Sequence, residues 1–369
     1  PKGALLRNTL ETWEKQEHLR RGYEMVITPH VLKGDLWKTS GHADYYRENM
    51  YMLKIDEQEY AVKPMNCPGH ILIYKSKTRS YRDLPLRLFE LGTVYRYEKA
   101  GVMHGLLRVR SFTQDDAHIF CLPAQVKDEI KGVLDFVFEA MNLFGFKDFK
   151  IEISTRPAKS IGSDADWQRA TEALKTSLDE KGLVYDINEG DGAFYGPKID
   201  IKLKDAIGRA WQCATIQCDF SLPERFDLAY VSPEGKNERP VMLHRVIFGS
   251  LERFIGTLIE HYAGNFPLWL APQQVAIIPL KAEQEAFARE VESALKTAAI
   301  RVALDNSSET LNKKIRNAEV QKIPYILVVG GREAAAGTVS VRSKKEGDLG
   351  VMPVEKLVGR LTDEITQKT

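Results

Sequence analysis

Apolar residues near the start of the chain recur at helical spacing. Leu6, Leu10 and Trp13 fall on one stripe, with Asn8, Glu11 and Lys15 on the opposite face. This pattern predicts a long amphipathic helix over residues 2–23. A short extended run, residues 24–28, follows and stops at Pro29, which a strand tolerates only at its end or edge. Residues 86–98 and 107–121 read as strands. The segment between them carries Lys99-Ala100-Gly101 and His104-Gly105 and reads as a long hairpin loop. A helix is expected over 127–143, strands over 150–154, 198–204 and 209–220, and a helix over 248–262. Strands that follow one another through hairpin-like turns predict an antiparallel sheet with helices on its outer side.

The pattern changes at residues 267–272, where Pro267 and Pro272 bracket a short segment. Beyond it, strands (275–279, 301–305, 325–329) alternate with helices (282–298, 308–318). A hairpin-like segment ending near Arg342 and a final helix complete the chain. Alternation of this kind predicts a small α/β domain with a partly parallel sheet. The expected organisation is therefore α/β throughout, with one domain over residues 1–268 and a second over 269–369.

Composition narrows the function. A formal net charge of +1 argues against a general polyanion binder, so any nucleic acid must meet local basic surfaces. Four cysteines in 369 residues do not make a disulfide scaffold, which fits a reducing cytoplasm and leaves thiols available for metal. No apolar run approaches the ~20 residues of a membrane span. The chain opens directly on a helix, so the natural protein is expected to extend upstream.

No Gly-x-x-x-x-Gly-Lys-Ser/Thr loop is present, nor a Gly-x-Gly-x-x-Gly after a strand. A nucleotide enzyme built on this chain must grip phosphate with side chains. Strand periodicity supplies them. In residues 107–121 the even positions Arg108, Arg110, Phe112, Gln114, Asp116 and His118 project to one face, and Val94, Arg96 and Glu98 share a parity on the preceding strand. Such a face cannot pack against an apolar core. It is either a solvated face or the floor of a polar pocket. Arg matches phosphate with paired donors, and an aromatic ring with an Arg above it can sandwich adenine. Cys67, His118 and His244 are possible metal ligands, too widely spaced to form a local motif. Cys213 and Cys218 are closer, but a packing role suits them better.

At these residues the chain resembles the threonyl-tRNA synthetases, a class II aminoacyl-tRNA synthetase family. The resemblance rests on Met65-Asn66-Cys67-Pro68-Gly69-His70, Tyr95-Arg96-Tyr97-Glu98, Gln114-Asp115-Asp116-Ala117-His118 and Gly249-Ser250-Leu251-Glu252-Arg253. Pro29 fits the class's motif 1, Arg96 and Glu98 its motif 2, and Arg253 its motif 3. The resemblance implies an antiparallel class II sheet flanked by helices, followed by an anticodon-binding domain of mixed sheet. It implies activation of L-threonine with ATP and Mg²⁺, then transfer to the 3′-terminal adenosine of tRNA(Thr). It implies one zinc ion on Cys67, His118 and His244.

Further roles follow from the same resemblance. Arg96 would contact the α-phosphate and the threonine carboxylate, and Glu98 the adenine amine. Phe112 and Arg253 would sandwich the base, with Arg253 reaching the γ-phosphate and Arg108 the outer phosphates. Gln212 and Thr215 would lie near the nucleotide. Gln114, Asp116, Tyr195 and Gln217 would line the threonine pocket, with Lys198 and Ser250 at its border. His42 would act near the transferring hydroxyl, Glu333 and Arg342 would read anticodon bases, and the first helix implies a homodimer. Gln212, Thr215 and Gln217 do not share a strand parity, so a bulge or twist is required. Nothing here resembles the family's N-terminal domains, one of which removes mischarged serine. A trimmed chain is expected, or a natural short form that relies on another protein for editing.

Overall fold

The computed structural model describes residues 1–204 and 207–369. They form two compact units, one comprising Glu11–Leu258 and the other Pro1–Leu10 with Ile259–Thr369. The sequence pattern changes at residues 267–272, whereas the division into compact units falls inside the helix Leu251–Tyr262. The first helix, Lys2–Arg20, ends earlier than its apolar stripe suggests, because Gly22 turns the chain at a positive φ of 75°. Leu6, Leu10 and Trp13 are buried, as the stripe requires.

The larger unit is built on an eight-stranded sheet. Its spatial order is Glu24–Met25, Leu86–Tyr95, Ser111–Cys121, Val241–Val246, Ala210–Asp219, Lys198–Lys204, Phe149–Ser154 and Asp186–Asn188. The six inner strands pair antiparallel. Both edge strands pair parallel, which hairpin-like turns do not predict. Helices Val126–Leu143 and Asp164–Glu180 pack on the central strands, burying Ile130, Leu134 and Val137 from one and Trp167, Leu174 and Leu178 from the other. The second of these helices is absent from the sequence-based expectation. It starts at Ser163, whose side chain caps the backbone N–H of Asp166.

The strands around the long loop are shorter than expected, Leu86–Tyr95 and Ser111–Cys121. Arg96, Glu98, Arg108 and Arg110 therefore lie on the connection. Arg96 N donates to Arg110 O at 2.9 Å, so the two segments stay together past the strand ends. The helix expected from residue 248 begins at Leu251. A separate three-stranded sheet, Val31–Lys33, Gln58–Val62 and Tyr51–Ile55, is also beyond what the sequence pattern predicts.

The smaller unit holds a five-stranded sheet in which Val302–Leu304, Val275–Pro279 and Tyr325–Val329 run parallel. Thr338–Ser343 and Gly347–Pro353 extend it antiparallel. This hairpin continues past Arg342, and a short helix, Gly331–Ala336, precedes it. Val275, Ile277, Leu327 and Val339 meet Val291, Leu295, Leu357 and Leu361 in a continuous core. Among the described residues no helix is long and apolar enough to cross a membrane.

Candidate active site

The pleat of the sheet assembles the site. Ala117, Ile119 and Cys121 point into the core beneath the sheet, so Phe112, Gln114, Asp116 and His118 point to the opposite face. Pairing then extends that face sideways. His118 lies opposite His244, His244 opposite Gln217, and Gln217 opposite Lys198, one row across four strands. The parity conflict among Gln212, Thr215 and Gln217 disappears because the register shifts between Gln212 and Ala214. Cys213 is the extra residue, and such a bulge returns Gln212 to the face of Thr215 and Gln217. Gln212 Nε2 consequently donates to Thr215 Oγ1 at 2.6 Å and to Asp200 Oδ1 at 2.7 Å.

Above this floor sits a cavity of about 490 Å³, lined by Cys67, Arg96, Phe112, Gln114, Asp116, His118, Tyr195, Gln212, Thr215, Gln217, His244, Ser250 and Arg253. Arg96 projects its guanidinium over the Phe112 ring, 5.1 Å from the centroid, and anchors through Nε to Pro64 O. Arg253 reaches in from the first turn of the helix Leu251–Tyr262, with Nη1 on Gln212 O and Nε on Leu107 O. Burial lowers its pKa, and the neighbouring Arg96 and Arg108 charges add to the shift. Two guanidinium groups, Arg96 and Arg253, lining one half-buried cleft make a field suited to a polyphosphate. Tyr195 OH donates to Gln217 Oε1 at 2.6 Å, and Asn66 Nδ2 donates to Asp116 Oδ2 at 2.9 Å.

Cys67, His118 and His244 are all buried, and one donor atom from each lies within 4.8 Å of the others. Cys67 opens the helix Cys67–Lys75, which brings its thiol over the two strand histidines. Asp219 Oδ2 holds His244 Nε2 at 2.8 Å, leaving Nδ1 for a cation. Burial, reinforced by His70 and His244, pushes the His118 pKa well down and keeps the ring neutral. Burial, with the Asp116 and Asp219 charges, pushes the Cys67 thiol well up. Neutral imidazoles have free lone pairs, and a thiol gives up its proton when a cation takes its place. Bonds of 2.0–2.3 Å put ligand atoms roughly 3.5 Å apart, so small side-chain rotations would bring these three donors to zinc-binding distances.

Some expected residues stand apart from the cavity. Glu98 and Arg108 pair with each other, Oε2 to Nη2 at 2.9 Å, and do not line it. Lys198 also lies beyond the lining, paired with Asp200 at 2.8 Å. His42 is fully buried behind Cys67, its Nδ1 on Ser40 Oγ at 2.7 Å and its Nε2 near Met65 Sδ at 3.0 Å. Burial, with His244 and Arg96 nearby, lowers its pKa to about 3. In the smaller unit, Glu333 accepts from Gly330 N at 3.0 Å, and Arg342 is exposed, with Glu319 Oε1 3.7 Å away.

Sequence reasoning overlooked the residues behind the site. Asp219, Asp200, Asn66 and His70 are all buried and bear on the cavity's side chains. For Asn66 and His70 a signal existed, since both belong to the recognised 65–70 segment.

Known proteins match this arrangement. Residues 51–262 match the class II tRNA synthetase core domain (G, H, P, S and T), and residues 274–364 match the anticodon binding domain. The threonine–tRNA ligase of Syntrophotalea carbinolica is 62% identical over 367 residues, covering 100% of this chain and 57% of that protein. That of Aquifex aeolicus is 58% identical over 369 residues, covering 100% of this chain and 58% of its own length. The chain thus spans under three fifths of these curated relatives. Among solved structures, the RNA binding domain of threonyl-tRNA synthetase from Cryptosporidium parvum Iowa II superposes with a TM-score of 0.95 at 42% identity, over 99% of this chain and 92% of that one. A prolyl-tRNA synthetase from the same organism shares the fold, with a TM-score of 0.72 at 19% identity, over 100% of this chain and 72% of that one. From its core and anticodon domains and its close identity to these ligases, the chain belongs to the threonyl-tRNA synthetases of the class II tRNA synthetase family.

Proposed function

We propose that this chain activates L-threonine with ATP and transfers it to the 3′-terminal adenosine of tRNA(Thr). The observation that carries this reading is the buried Cys67, His118 and His244 triad facing Asp116 and the arginine-lined cleft. Cys67, His118 and His244 would hold a zinc ion there, and it would supply a Lewis acid for the threonine amino and hydroxyl groups. The residues around it do the rest. Asp116 accepts from the threonine hydroxyl, held in place by Asn66. Gln114 and the linked Tyr195–Gln217 pair close the pocket around the side chain. Valine fills the same volume but leaves Asp116 without the hydroxyl partner, and a site that demands a hydroxyl can reject its absence by ~10⁴-fold or more.

Arg96 orients the carboxylate and the α-phosphate as the carboxylate attacks phosphorus and pyrophosphate leaves. Phe112 and Arg253 hold the adenine between them, Glu98 meets its amine, and Arg253 reaches back to the γ-phosphate. Gln212 and Thr215 border the nucleotide, Lys198 and Ser250 border the threonine pocket, and Arg108 moves from Glu98 to the outer phosphates. Mg²⁺ bound with ATP offsets the remaining charge. Catalysis on this reading is positioning and charge neutralisation. His42 lies near the transferring hydroxyl with its ring held neutral by burial, and its Nε2 also contacts Met65 and Cys67.

Residues 1–268 form the catalytic domain and 269–369 the anticodon-binding domain, where Glu333 and Arg342 meet anticodon bases. Two copies pair through the motif 1 region, where Ile27 is 89% exposed beside the sheet edge. The protein works in the cytoplasm, where its four free thiols stay reduced. ATP–pyrophosphate exchange run with each of the twenty amino acids tests this function. Threonine should support exchange strongly, serine weakly and valine not at all. Exchange driven best by proline or serine would overturn it.

A further inference from the structure

His70 is fully buried on the helix Cys67–Lys75 and touches no part of the substrate cavity. Its Nδ1 lies 2.8 Å from His118 Nδ1. Two ring nitrogens at that distance share one proton, so one ring donates and the other accepts. On its far side, His70 Nε2 lies 3.7 Å from Glu90 Oε2 and has no hydrogen-bond partner. Glu90 is itself pinned: Lys63 Nζ donates to Oε1 at 2.6 Å, Thr28 N to Oε2 at 2.7 Å and Thr28 Oγ1 to Oε1 at 3.0 Å. Burial raises its pKa, but the nearby His70 ring and the Lys63 ammonium overcome that and carry it below the usual carboxylate range.

A carboxylate this close decides where the His70 proton sits. A bare Nε2 would set a lone pair against an anion, so Nε2 carries the hydrogen. Nδ1 of His70 is then an acceptor and Nδ1 of His118 the donor. That leaves His118 Nε2 bare. In the opposite arrangement a neutral His118 would carry its proton on Nε2, where a metal needs a lone pair. We propose that His70, oriented by Glu90, is the positioning residue that fixes the tautomer of His118 and so prepares its Nε2 for the metal. The inference rests on the reading of Cys67, His118 and His244 as a zinc site. It adds a residue two steps removed from the cation, as Asp219 is through His244.

Zinc affinity, measured by chelator competition, tests this in two polar variants. In His70→Asn the amide oxygen falls where Nδ1 stood and can still accept from His118. In His70→Gln the amide sits one bond further out and cannot. Loss of an outer-shell partner typically lowers metal affinity 10–100-fold. His70→Gln should show that loss, while His70→Asn stays near the parent chain. The cobalt-substituted His70→Gln protein should also show altered ligand-field bands while keeping its thiolate band. Equal zinc affinity in the parent and His70→Gln would overturn the inference.

Nitrogen-15 spectra of the histidine rings in the zinc-loaded parent chain need no variant at all. They should show His118 protonated at Nδ1 and His70 at Nε2, and the reverse assignment would also overturn it. The two readings fail separately. If Cys67→Ser binds zinc as tightly as the parent, the metal-site reading itself is wrong. If Cys67 is required but His70→Gln is not impaired, only the positioning role is wrong.

Discussion

Gly249 carries the loop between the Val241–Val246 strand and the helix that bears Arg253. Its φ is +77°, and a Cβ built there would lie 2.6 Å from the backbone oxygen of Cys213. Cys213 is the bulge residue that returns Gln212 to the face of Thr215, and its thiol also contacts Ile247 O and Phe248 O. Gly249→Ala therefore presses the loop against the nucleotide side of the cavity. Left-handed backbone costs an alanine about 1–2 kcal/mol, and forcing a methyl into packed surroundings adds about 1–3 kcal/mol. The sum, about 2–5 kcal/mol, corresponds to a fall in Tm on the order of 10 °C for a unit of this size.

The displaced loop carries Ser250, whose Oγ accepts from Arg253 N at 3.1 Å. A misplacement near 1 Å can lower a rate ~10²-fold, so kcat/KM for ATP should fall by about 10–100-fold. Thermal melting together with exchange kinetics at varied ATP and varied threonine is the assay. The KM for ATP should rise more than that for threonine. An alanine variant with unchanged Tm and unchanged ATP kinetics would refute the packing argument.

Other outcomes follow from single side chains. Gly92→Ala would put a Cβ 2.4 Å from Asn66 Nδ2 and Glu90 Oε1, so it should disturb Asp116 through Asn66 and raise the KM for threonine more than that for ATP. Gly132 lies within the helix Val126–Leu143, and a methyl added there would meet no atom within 4 Å beyond its own helix backbone and chain neighbours, so Gly132→Ala should stabilise the fold by about 0.5–1 kcal/mol, read by urea melting. His42 has its folded pKa lowered to about 3 from 6.5. Its stabilising contribution is therefore complete above the unfolded value and is lost as pH falls from there toward the folded one. A His42→Asn chain should lose stability less steeply over that range, and the pH profile of exchange near neutrality should not report this ring.

Alternation along one strand was enough to group Phe112, Gln114, Asp116 and His118 on a polar face, because strand geometry depends only on neighbours in sequence. It could not say where the strand began, and Arg108 and Arg110 fell outside it. Nor could it bring Cys67 to His118 and His244. That meeting depends on long-range pairing, which sets His118 opposite His244 in a way no local pattern records. The bulge at Cys213 was anticipated only as a need, from three side chains of mixed parity. Asp219 and His70 escaped notice because they act on other residues. The resemblance supplied the metal assignment that spacing alone left open.

The most direct test of the central claim is the absorption spectrum of the cobalt-substituted chain during titration with threonine, and separately with valine. A thiolate-to-cobalt band that disappears in Cys67→Ser is expected, with ligand-field bands that shift on adding threonine and stay unmoved by valine. A cobalt spectrum that lacks the thiolate band, or that responds alike to both amino acids, would contradict a metal at Cys67, His118 and His244 that reads the substrate hydroxyl.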